Sequence, residues 1–129
     1  MRLIFRAALL LPLAALAGCM SSRQPVPALD VGALPVMERV MLGANRCWFK
    51  SGDSQFAAYR MAPELNSYSG TPRILLVKKH SPESRPLLVV QASGAPAKVD
   101  AFGPLMNEPQ MAARVHKDVN GWMRGGQGC

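Results

Sequence analysis

Two apolar runs constrain this chain more than any other feature. "RILLVKK" (Arg73 to Lys79) and "RPLLVVQAS" (Arg85 to Ser93) are separated only by "HSPES". Runs of this length bounded by turn residues read as the two strands of an antiparallel hairpin. A sheet with one face in water alternates apolar and polar side chains along each strand. Here Ile74, Leu75, Leu76 and Val77, and then Leu87, Leu88, Val89 and Val90, put apolar side chains on both faces. One face needs the rest of the chain as cover. The other is closed by the segment from Met61 to Pro72 or by the N-terminal stretch, or it is left for a partner. An uncovered apolar patch of roughly several hundred Å² marks a partner or membrane site. One alternating set, Ile74 with Leu76 or Leu75 with Val77, is expected to be exposed once the N-terminal tether is removed. A one-residue change of register exchanges the two sets.

The covering elements are helical. From Val36 to Trp48, Met37, Val40, Met41, Ala44, Cys47 and Trp48 recur three and four apart, with Glu38, Arg39, Asn45 and Arg46 opposite them. This is an amphipathic helix, and Pro35 suits its first turn. "QFAAYRMA" reads as a strand ended by Pro63, and "NSYSGTP" as a turn. "AKVDAFG" is a weaker fourth strand after the Gly94–Pro96 turn. Asn107, followed three residues later by Gln110, predicts a capping box with Pro109 in the first turn. Met111, Val115, Val119 and Trp122 then share a face, and Gly125-Gly126 stop the helix. The order α-β-β-β-β-α defines a small single α+β domain: an antiparallel sheet of about four strands with both helices packed on one face.

At the other end, Arg2 and Arg6 precede an apolar run from Leu3 to Ala17 that stops at Cys19. A membrane-spanning helix needs roughly 20 apolar residues. This shorter run ending in small residues has the pattern of a secretory signal. One reading is an ordinary signal cut after Ala17 or Gly18, leaving Cys19 as a free thiol. The other rests on Leu16-Ala17-Gly18-Cys19, which resembles the lipobox of bacterial lipoproteins. That resemblance implies removal of residues 1–18 and acylation of Cys19, with two or more acyl chains giving stable anchoring. Met20 stands where many Gram-negative lipoproteins carry the aspartate that signals inner-membrane retention. The resemblance therefore implies the periplasmic face of the outer membrane rather than that of the inner membrane. Residues 19–34, with Pro25 and Pro27 and little periodicity, read as a flexible tether, and 35–129 as the folded domain.

With Cys19 lipidated, Cys47 and Cys129 are the remaining pair. A cysteine after the glycine-rich "GGQG" makes sense as a staple that joins the C-terminal ends of the two helices. The bridge would close a loop of 82 residues; the chain-entropy estimate for that size is about 4–5 kcal/mol, an upper figure. The rival is a zinc site with His80 and His116, but no short C-x-x-C or H-x-x-x-H spacing accompanies them. Neither a metal nor a cofactor is expected.

The chain carries 15 Lys and Arg against 8 Asp and Glu; without Arg2 and Arg6 the balance is 13 to 8, or +5. A basic balance suits anionic head groups, acidic glycans or nucleic acid. Nucleic acid is excluded for a secreted, tethered chain, and the basic residues are scattered, with no run beyond Lys78-Lys79. Gly52-Asp53-Ser54 resembles the nucleophile block of GDS-type esterases. That chemistry also needs an Asp-x-x-His pair whose histidine takes the serine's proton, and none occurs here. The block reads instead as a helix-to-strand turn that uses Gly, Asp and Ser for their turn chemistry. His80, beside Lys78, Lys79 and Arg85, is a loop residue able to meet an anionic surface. His116 falls at the flank of the last helix. Tyr59, Tyr68 and Trp122 suit glycan stacking, but aromatics are only 6% of the chain, so the core claims them first.

The stretches "CWFKSGDSQFAAYRMAPELNSYSGTPRILLVKKH" and "RPLLVVQASG" resemble small envelope lipoproteins of alpha-proteobacteria, a resemblance that supplies no activity. The expectation is a non-enzymatic accessory module. It would be held to the membrane by its lipid and dock an envelope protein in assembly or maintenance of the cell surface. The alternative is a binding module for a small ligand or glycan between sheet and loops.

Overall fold

The computed structural model describes residues 31–66 and 68–129. Residues 1–18, expected to be a signal segment, Cys19 and most of the expected tether fall outside the described residues. The element order is α1 (Ala33–Ala44), β1 (Tyr59–Glu64), β2 (Arg73–Lys78), β3 (Leu88–Ser93), β4 (Lys98–Phe102) and α2 (Pro109–Met123). The strands form one antiparallel sheet in the order β1-β2-β3-β4. The molecule is a small α+β domain with a helix before the sheet and another after it.

Helix α1 starts earlier than the sequence pattern predicts. Extended Gly32 caps it, and the Val36 amide donates to the Gly32 carbonyl to close the first turn. Pro35 then falls inside that turn, where amides lack intrahelical partners and a missing N–H costs little. The chain reaches α1 already held: the Ala97 amide donates to the Val31 carbonyl (3.0 Å) and the Ala33 amide to the Gly94 carbonyl (3.1 Å). Beyond Ala44 the helix widens into a π-helical segment, Asn45–Lys50, which buries Cys47 and Trp48.

The expected strand "QFAAYRMA" is only half a strand. Ser54–Phe56 is a 3-10 turn, capped by the Asp53 side chain on the Gln55 amide. β1 starts at Tyr59 and runs through Pro63, which does not end it. The reason is β1's place at the sheet edge. The Lys79 amide donates to the Ala58 carbonyl, and Lys78 lies opposite Tyr59. Arg60, Ala62 and Glu64 therefore aim their backbone groups at β2, while Pro63 faces open space, where its missing N–H removes no ladder bond.

The predicted capping box is also absent. Asn107 belongs to a 3-10 turn, Pro104–Asn107, and Glu108 is the N-cap without a side-chain cap bond. Pro109 at the first helical position forces the preceding residue out of the helical region, and Glu108 is extended accordingly (φ −89°, ψ 113°). At the far end the Gly126 amide donates to the Gly121 carbonyl and the Gly125 amide to that of Trp122. This is the paired closure that a glycine at positive φ permits, and Gly125 has φ +91°.

The core lies between the sheet and the helices. Ile74, Leu76, Leu88, Val90 and Ala92 meet Met37, Val40, Ala44, Cys47 and Trp48, and Met111, Val115, Val119 and Trp122 complete it. α1 lies across β2 and β3, whereas α2 packs chiefly along α1 and on the 3-10 turn before it. Cys47 and Cys129 are joined by a disulfide, with Cα atoms 5.3 Å apart. The tail leading to it is tied down by Trp122 Nε1 donating to the Gly128 carbonyl (3.0 Å) and Arg46 Nη2 donating to that of Gln127 (2.7 Å).

Candidate functional site: the open face of the sheet

Register divides the hairpin residues cleanly. Opposed pairs share a face, so Ile74 with Val90 and Leu76 with Leu88 point to the core, each of them fully buried. These four are removed from the expected partner surface. Leu87, just before β3, is half-buried and packs against the core as well. The outward set is Leu75 with its partner Val89, flanked by Ala62 on β1 and Phe102 on β4. Leu75, Val89 and Ala62 are half-buried, and Phe102 is 48% exposed. Val77 has outward parity but is only 5% exposed. It stands at the end of β2, where the connection turns back through the Ser81 amide onto the Lys78 carbonyl. The expected Leu75–Val77 set is thus reduced to Leu75.

Phe102 and Ala62 extend the face beyond the hairpin. The signal for Phe102 was the alternation of "KVDAF", which groups it with Lys98 and Asp100 and apart from Val99 and Ala101. Polar groups rim the patch: Arg60, Gln91, Lys98, Asp100, and Arg73, whose Nε donates to Glu64 Oε2 at 2.6 Å. Among the described residues, no helix packs on this side.

The other candidate residues have structural duties. Asp118, with a 3% exposed side chain, accepts from Trp48 Nε1 (2.8 Å) and Arg114 Nε (2.6 Å). Arg114 also pairs with Asp53 at 2.9 Å and lies 5.9 Å from the Phe56 ring centroid. The hydrogen bond to Asp118 raises the guanidinium pKa above its ordinary value, against the desolvation that opposes it. The Gly52-Asp53-Ser54 block is therefore a turn whose aspartate ties it to α2. Ser54 is exposed, and no hydrogen bond joins it to His80 or His116. The sequence signal for Asp118 was a lone carboxylate beside Val115, Val119 and Trp122 on the apolar stripe of α2.

A cleft of about 790 Å³ opens between α1 and the β1–β2 turn, lined by Met41, Pro63, Leu65, Tyr68 and the Arg73–Glu64 pair. Tyr68 is fully exposed there. Among the described residues no group of three His, Cys, Asp or Glu side chains gathers to hold a metal ion, and no helix is long and apolar enough to cross a membrane. No family model, no curated protein and no solved structure matches this chain.

Proposed function

We propose that this chain is a non-enzymatic interaction module, anchored by lipid at Cys19 to the periplasmic face of the outer membrane. It docks an envelope protein through the open sheet face, in assembly or maintenance of the cell surface. One observation carries the docking reading: Ala62, Leu75, Val89 and Phe102 lie side by side away from the helices, with Phe102 48% exposed. Apolar side chains rimmed by charge are the usual make-up of a partner site. The anchoring reading rests on Leu16-Ala17-Gly18-Cys19 at the end of an apolar run. The test is co-purification from detergent-solubilised envelope with the natural chain and with Phe102→Lys combined with Val89→Thr. A partner retained equally by both removes the docking reading. For the anchor, Cys19→Ser should abolish labelling by a palmitate analogue; unchanged labelling removes it.

A second reading, binding of a small ligand or glycan, is favoured by the cleft beside Tyr68. Calorimetric titration with envelope glycan fragments should give heat that Arg73→Ala abolishes, and the absence of heat would end this reading.

A further inference from the structure

A second cleft, of about 390 Å³, opens where β1 begins. Its size falls within the roughly 300–1,000 Å³ of small-molecule sites. One wall is aromatic and already fixed. Trp48 and Phe56 stack with centroids 4.5 Å apart and rings 8° from parallel, and Phe49 meets Phe56 edge-on at 6.2 Å. Phe49 and Tyr59 line the cleft and are only half-buried.

Two cations stand at the rim. Arg60 and Lys79 both line the cleft, and both are exposed. Strand pairing holds them together: Arg60 lies opposite Val77, two residues before Lys79, and the Lys79 amide donates to the Ala58 carbonyl at 2.9 Å. Among the described residues, neither side chain has an ion-pair or hydrogen-bond partner. The one carboxylate in the lining, Asp53, is already satisfied. Its Oδ2 pairs with Arg114 at 2.9 Å, and its Oδ1 accepts from the Gln55 amide at 2.9 Å. Lys78, next in the chain and exposed, adds to the positive field.

Unpaired cations beside an aromatic wall are complementary to a ring that carries a negative group. The cleft at Tyr68 offers no such charge, because its Arg73 is held by Glu64 at 2.6 Å. A bilayer is the poorer fit. The large exposed apolar side chains, Leu34, Leu42, Tyr68 and Phe102, all lie elsewhere, so nothing at this cleft would insert into lipid.

The geometry points to this cleft as a binding site for a sugar ring bearing a carboxylate, with Arg60 and Lys79 on the anion and Tyr59 and Phe49 against the ring. It is separate from the open face and from the Tyr68 cleft, so neither of those readings bears on it.

NMR titration of the full chain in detergent tests this. Glucuronate should shift the resonances of Tyr59, Arg60 and Lys79 saturably and leave those of Tyr68 and Arg73 in place. Glucose, the ring without the charge, and acetate, the charge without the ring, should each bind at least about tenfold more weakly. Arg60→Gln and Lys79→Gln should each weaken glucuronate binding at least about fivefold, and added salt should weaken it further. Both positions are exposed, so the thermal midpoint should not move. The absence of a saturable shift overturns the inference. So does glucose or acetate binding as tightly as glucuronate, an affinity unchanged when both cations are replaced, or shifts that map to Tyr68 instead. If glucuronate leaves the cleft silent and only vesicles of anionic phospholipid shift Arg60 and Lys79, the cations read a lipid surface and the sugar site is lost.

Discussion

Gly43 of α1 lies directly against the indole of Trp122 on α2, so close that a methyl group at position 43 would overlap the ring. The two helices can meet at this distance only because position 43 has no side chain. Gly43→Ala should lower stability by about 1–3 kcal/mol, the usual cost of overpacking a filled core. Gly121, on the exposed side of α2, has open space around its missing Cβ. There Gly121→Ala should raise stability by about 0.5–1 kcal/mol through helix propensity alone. Opposite shifts of the thermal midpoint for two identical substitutions check the packing directly.

The disulfide makes a second prediction. With Cys47 and Cys129 separated by 82 residues, reducing the bond should cost up to about 4–5 kcal/mol by the chain-entropy model, read as a lower urea midpoint. Cys129→Ser should match the reduced protein. A non-reducing mass two daltons heavier, roughly, would show free thiols and remove the bridge.

Asp118 holds Trp48 and Arg114 together. Asp118→Ala should cost about 2–3 kcal/mol, because it leaves the buried Trp48 N–H without an acceptor and Arg114 without its main partner. Trp48→Phe beforehand should reduce that penalty by about 1 kcal/mol, the coupling a double-mutant cycle isolates.

The two faces of the hairpin should respond differently to the same kind of change. Leu76→Ala, on the buried face, should destabilise by about 2–5 kcal/mol. Phe102→Lys, on the open face, should shift stability by within about 0.5 kcal/mol while abolishing co-purification of a partner. A loss near 2 kcal/mol or more at Phe102 would place it in a core and leave the docking reading without support.

Much of this architecture was legible because the signals were redundant. "RILLVKK" and "RPLLVVQAS" carried apolar runs and turn residues at both ends, and both helices carried a stripe at helical spacing. The errors all lie where one residue's chemistry depends on its neighbour in space. Pro63 reads as a strand end, yet at a sheet edge its missing N–H removes nothing. Asn107 reads as a cap, yet Pro109 moves the cap to Glu108. The open face was the least legible part. Runs such as Ile74 to Val77 contain no polar residue to mark the outward phase, so only the pairing with β1 and β3 decides between Leu75 and Leu76. Phe102 is legible from the alternation of β4, but it lies outside the hairpin whose apolar runs mark the surface.

The strand order β1-β2-β3-β4 follows the sequence order, and this divides the fold in two. Each strand needs only a short connection to find its neighbour, so the sheet assembles through local closures with little entropy to overcome. The meeting of α1 with α2, with Gly43 under Trp122 and Cys47 near Cys129, requires ends of the domain some eighty residues apart in sequence. The sheet is thus built from neighbours in sequence and the helix pair from its distant ends, and the Cys47–Cys129 bond ties the long-range half together.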